Sequence, residues 1–192
     1  MGAKGEKGVR GLPAAVVGGV TYNRWGNTNC RPGVQCVYAG RTGSSFSGHQ
    51  GGASNYLCMP DDPEYSQNQT EARDDSYVYG TEYEAPLVSG RFQHNAPCAV
   101  CYIPTKHTVI MIPAKMSCPS GWTREYYGYL MSEIKDNRRT EYVCVDRNME
   151  SIPGSQNHID GGHFFHVEAH CNGMACPPYN NQKELTCVVC SK

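Results

Sequence analysis

Glu184-Leu-Thr-Cys187-Val-Val-Cys190, near the end of the 192-residue chain, decides the fold class. Threonine and paired valines suit a pleated, half-buried surface. Its two cysteines stand three apart. The same spacing occurs at Cys98-Ala-Val-Cys101, an echo rather than a clean internal repeat. Outward from this stretch, Thr21-Tyr-Asn-Arg-Trp25, Gln35-Cys-Val-Tyr38, Asn55-Tyr-Leu-Cys58 and Thr140-Glu-Tyr-Val-Cys-Val145 read as further short strands between glycine-rich turns. Thr108-Val-Ile-Met-Ile112 is the most apolar run and the best candidate for a buried strand. Ser44 to Ser54, mostly Gly, Ser, His and Gln, reads as a surface loop. No segment carries a long apolar stripe of period 3.6, and 21 Gly, 12 Pro and 13 Tyr favour strands and turns. Residues 21–192 are thus predicted to form a mainly β, disulfide-rich compact head of many short antiparallel strands. A division into sub-lobes 21–90 and 91–192 is the candidate organisation.

Eleven cysteines point to an oxidising compartment and a disulfide framework: Cys30, Cys36, Cys58, Cys98, Cys101, Cys118, Cys144, Cys171, Cys176, Cys187 and Cys190. The odd number leaves one thiol free or bonded to another chain. Spacing does not fix the connectivity; each Cys-x-x-Cys unit is free to close on itself or to reach distant strands. Redox-active or zinc-binding roles for those units are disfavoured. They sit in strand-like surroundings, without the helix start that stabilises a thiolate.

At the other end, Gly2-Ala-Lys-Gly5-Glu-Lys-Gly8-Val-Arg-Gly11-Leu-Pro13 holds glycine at every third position. Three polyproline-type strands wound about one axis leave room there for glycine alone, so the period predicts a collagen-like triple helix over residues 1–13. Met1 stands directly before the first triplet, and the natural chain is expected to extend further upstream. Ala14 to Val20 reads as a neck leading into the head. So short a cable needs another element to hold three chains together, and the head is the candidate.

Net charge is −1, which gives no overall pull toward nucleic acid, and no apolar run is long enough to span a bilayer. The charge is uneven. Residues 1–60 carry +5 and residues 61–84 carry −7. Within the acidic block Asp61, Asp62, Asp74 and Asp75 are candidate calcium ligands, although their spacing matches no calcium-loop pattern. Four histidines, His158, His163, His166 and His170, fall close together. If Gly162 to His170 is one strand, His166, Glu168 and His170 share a face and form a candidate zinc site. Asn68-Gln-Thr70 is an N-glycosylation triplet. No catalytic signature is present, neither Gly-x-Ser-x-Gly nor His-Glu-x-x-His nor a phosphate loop, so no enzyme and no required cofactor are expected. Trp25 and Trp122 are candidates for sugar stacking, but more readily for core.

Thr21-Tyr-Asn-Arg-Trp-Gly26, Gly51-Gly-Ala-Ser-Asn-Tyr-Leu-Cys58, Cys98-Ala-Val-Cys101, Cys118-Pro-Ser-Gly-Trp-Thr-Arg-Glu-Tyr-Tyr-Gly-Tyr-Leu-Met131 and Glu184 to Cys190 together resemble the C-terminal non-collagenous domain of invertebrate short-chain collagens. That domain is itself distantly reminiscent of the network-forming domain of basement-membrane collagen. The resemblance implies a secreted extracellular-matrix glycoprotein without catalytic residues. With the glycine triplets it yields two expectations for the head. The first is a trimerisation domain that makes a homotrimer and joins trimers into a network. The second is a collagen-stalked, lectin-like recognition module, calcium-dependent or not, with glycans or other matrix proteins as partners.

Overall fold

A computed structural model describes residues 18–66, 76–85, 90–156 and 161–192. The triplet glycines Gly2, Gly5, Gly8 and Gly11, most of the neck, Asn68, Asp74, Asp75 and His158 lie outside the described residues. Among the described residues there are ten strands and no helix. They are β1 (Val20–Trp25), β2 (Gln35–Ser44), β3 (Leu57–Pro60), β4 (Tyr79–Tyr83), β5 (Pro97–Ile103), β6 (Val109–Pro113), β7 (Thr123–Ser132), β8 (Val143–Asp146), β9 (Gly162–His166) and β10 (Thr186–Ser191). The head is mainly β and disulfide-rich.

The pairing shows an order that the sequence reading missed. In the first five strands β5 lies between β1 and β2, and β2 also pairs β3 and β4, all antiparallel. In the second five β10 lies between β6 and β7, and β7 also pairs β8 and β9, again antiparallel. The chain is two copies of one five-strand lobe. The disulfides repeat with it: Cys30–Cys101 and Cys118–Cys190 span 71 and 72 residues, and Cys58–Cys98 and Cys144–Cys187 span 40 and 43. The division therefore falls between Ile103 and Val109 rather than near residue 90, because β5 carries the rungs to β1 and β2.

Equivalence extends to single residues. Gly40 stands opposite Cys98 on one side and Pro60 on the other; Gly128 stands opposite Cys187 and Asp146. A Cβ at either glycine would lie 1.8 or 1.9 Å from a carbonyl oxygen of the next strand, that of Met59 or Val145, so both positions exclude a side chain. Past the first strand of each lobe, Gly26 and Ala114 both take positive φ, and their N–H groups bond the equivalent carbonyls of Pro97 and Thr186. Gln93 and Gln182 match in the same way, at φ 60° and 56°.

Neither Cys-x-x-Cys unit closes on itself. Cys98 enters a core cluster with Trp25, Tyr56, Tyr83, Val145 and Phe164, while Cys101, on the opposite face, enters a second one with Tyr22, Tyr126, Leu130 and Val189. Both clusters draw on both lobes, so neither lobe completes a core alone. Cys171–Cys176 ties a short loop of the second lobe. Cys36 is the free thiol, and it is exposed. One expectation fails: the apolar run at 108–112 becomes β6, an edge strand with Ile110 and Met111 exposed.

Candidate assembly interface

The lobes meet through two parallel pairings. Trp25 of β1 stands opposite Val145 of β8, and Thr81–Tyr83 of β4 run beside Gly162–Phe164 of β9. Side chains lock the seam. The Arg24 guanidinium donates to Asp146 at 2.6 Å, with both side chains largely buried. Glu125, fully buried, accepts from the Tyr22 hydroxyl at 3.2 Å, from Arg31 at 3.1 Å and from the Ser191 hydroxyl at 2.5 Å. The Tyr126 hydroxyl lies within hydrogen-bond distance of the Asn23 carbonyl in the other lobe (3.0 Å) and the Cys144 carbonyl in its own (2.9 Å). Burial raises the phenol pKa of Tyr22, and the Glu125 carboxylate raises it further. Tyr126 is raised mainly by burial as well. Both hydroxyls therefore stay protonated donors.

This contact is not two-fold symmetric. A two-fold would also pair β6 with β3, the strands equivalent to β1 and β8. Among the described residues β6 pairs only β10, and β3 pairs only β2. The outer edges of β6 and β3 are thus the unused counterparts of an edge pairing that the chain makes once.

Exposure follows the same map. Tyr22, Tyr56, Tyr126, Val143, Val145 and Phe164 lie at the seam, each 7% exposed or less. Their equivalents, in the same order, are Ile110, Tyr142, Tyr38, Leu57, Met59 and Val78, each 37% to 62% exposed. Tyr38 even keeps the local half of its twin's bonding, donating to the Cys58 carbonyl at 3.0 Å as Tyr126 does to Cys144. The exposed set divides in two. Tyr38, Leu57, Met59 and Val78 are on the first lobe, and Ile110 and Tyr142 are on the second. The chain matches no protein-family model.

The candidate metal sites do not gather. Strand β9 ends at His166, so the alternation that would align His166, Glu168 and His170 stops there. His166 packs on the Tyr129 ring with Nδ1 3.5 Å from Glu184, Glu168 bridges Glu184, and exposed His170 accepts from the Asn172 N–H. Burial lowers the His166 pKa against the opposing pull of Glu184 and Glu168. Among the described residues no three His, Cys, Asp or Glu side chains converge as metal ligands. Asp61 is taken up by Arg41 at 2.7 Å. Trp25 lies in the core, and Trp122 is half-buried under Lys192. Sequence reading missed the seam residues Arg24, Glu125 and Asp146. Their signal was the doubled cysteine spacing, which would have set Glu125 against Val37 and Asp146 against Pro60.

Proposed function

We propose that the head is an assembly domain. The second lobe of one copy docks on the first lobe of the next, β6 beside β3, in the relation that β1 has to β8 within a chain. A contact between two different faces propagates in one direction, and it ends only by closing a ring. Glycine triplets at residues 2–13 fix the number at three, so six lobes alternate around the ring and hold three collagen-like strands in register. Five disulfides fit an extracellular protein. The matrix is the compartment where such a trimer acts as a structural part.

One observation carries this reading: six exposed apolar side chains, Tyr38, Leu57, Met59, Val78, Ile110 and Tyr142, lie where their twins are buried. Light scattering on the purified chain tests it. A trimer is expected, and Met59→Asp, at an exposed site, is expected to give a folded monomer. A wild-type chain that stays monomeric at tens of micromolar would sink the proposal.

A further inference from the structure

The loops that follow the equivalent residues Ser44 and Ser132 face each other across a cleft of about 470 Å3, lined from 45–54 on one side and 133–140 on the other. Backbone bonds pin the two walls together, Arg138 N–H to the Ser47 carbonyl and Glu141 N–H to the Ser54 carbonyl. The cleft is therefore a built feature rather than a gap between independent loops, and its volume is that of a small-ligand site.

Its one buried carboxylate is already committed. Glu133 accepts from the His163 N–H and Nδ1 at 3.1 Å, from the Ile134 N–H at 3.0 Å and from the Asn137 amide at 3.1 Å. The rim is cationic. Lys135 is shared with Asp136, but among the described residues no ion pair engages Arg138 or Arg139, both exposed. The opposite wall is aromatic: Phe46 and His49 stand 4.9 Å apart, and Tyr79 lies 5.5 Å from Phe46. A second hollow of about 340 Å3 shares Ser45, His49, Gln50, Gly51 and Gly52 with the first and adds Ser76 and Tyr77. Two adjoining hollows that share a wall suit a chain of ring-sized units better than a single small anion.

We propose that this cleft binds an acidic glycan, with Arg138 and Arg139 taking its sulfate or carboxylate groups and the Phe46–His49 wall taking sugar faces. Guanidinium forks match both anions in geometry. Aromatic faces pack on the apolar side of a sugar ring while the rim hydroxyls and amides meet its edge. An acidic peptide is the poorer fit, because peptide grooves use a free strand edge or apolar anchor pockets and this cleft has neither. The site lies within one chain, so it stands or falls apart from the ring.

Calorimetry on the whole chain, with EDTA present, would use a heparin octasaccharide, its desulfated form, a hyaluronan octasaccharide and a polyglutamate peptide. Binding of either acidic oligosaccharide is expected, weakened as salt rises from 50 to 150 mM. The desulfated and hyaluronan arms tell sulfate recognition from carboxylate recognition. Paired Arg138→Ser and Arg139→Ser changes should weaken binding at least tenfold and His49→Ser severalfold, while Arg147→Ser, outside the cleft, leaves it unchanged. All four sites are exposed, and far-UV circular dichroism and thermal melting check that each variant is folded. Three results would overturn the assignment: neither glycan binds, the double arginine variant binds as well as wild type, or polyglutamate binds as tightly as the glycans.

Discussion

The two lobes share a skeleton and differ in what their matching faces carry. Where the first lobe presents Tyr22, Arg24 and Trp25 to its neighbour, the second presents Ile110, Ile112 and Pro113. Where the second lobe receives them with Glu125, Val145 and Asp146, the first offers Val37, Met59 and Pro60. The seam within the chain contains buried, hydrogen-bonded charges; its outer counterpart is apolar. A seam formed once, during folding of one chain, can satisfy each charge with a fixed partner. On the proposed assembly, an apolar outer face also avoids charges that docking would strip of water, since a desolvated charge that loses its partner is expensive.

The same substitution at matched sites breaks this comparison most sharply. Val145→Asp places a carboxylate at a fully buried point of the first core cluster, and a loss of about 4–5 kcal/mol is expected. That is comparable with the whole stability of many domains, about 5–15 kcal/mol. Met59→Asp is expected to leave the unfolding free energy of the monomeric head within about 0.5 kcal/mol of wild type and to abolish only the trimer. Equal destabilisation at the two sites would show that β3 is not a free edge.

A smaller effect is expected from the ion pair. Asp146→Ala strands Arg24, whose side chain is 14% exposed, and should cost about 3 kcal/mol in denaturant unfolding. Pro60→Ala, at the matching position, should cost almost nothing. A midpoint unmoved by Asp146→Ala would mean that the polar seam is ornamental.

The smallest effect is a pH dependence near the floor of the cleft. Burial by itself would lower the His163 pKa, but hydrogen bonding and attraction from Glu133, helped by Glu84 and Glu82, carry it above its ordinary value. A raised folded pKa means that the imidazolium stabilises the fold fully below about pH 6.5, the unfolded value, and that this contribution fades as pH rises through the folded value. His163→Gln should therefore cost about 1–2 kcal/mol at pH 5.5 and less at pH 8.5. The equivalent position is Tyr77, so the effect has no twin in the first lobe. A cost that grows with pH would reverse the assignment.

Much of the β framework was legible in the chain. Branched and aromatic residues in short runs located β1, β3, β8 and β10 to within a few residues, and the start but not the second half (39–44) of β2, because strand preference is written locally. The duplication was not, since outside the cysteines few twinned positions keep the same residue; among those that do are Gly40 and Gly128, Tyr38 and Tyr126, Ser44 and Ser132, and Gln93 and Gln182. Those are places where backbone approach, a hydroxyl bond or a left-handed turn admits little choice. Elsewhere the faces diverged as described above, and that divergence hides a repeat from composition. The run at 108–112 was misjudged for a related reason. Hydrophobicity marks a strand, but not whether it takes a central or an edge place in the sheet. The histidine face failed on length, because β9 stops at His166, short of Glu168 and His170.

The first strand also has a mechanical consequence. Whatever stands before Val20 pulls on β1 along its own axis. Six consecutive residue pairs, Val20 with Ile103 through Trp25 with Cys98, lie broadside to that pull. A pull on β1 along its axis would then load all six rungs together rather than unzip them one by one, and the bond from Cys30 to Cys101 bolts the segment just beyond the strand to the same partner. Tension is thus handed to the middle of the sheet before it reaches any loop.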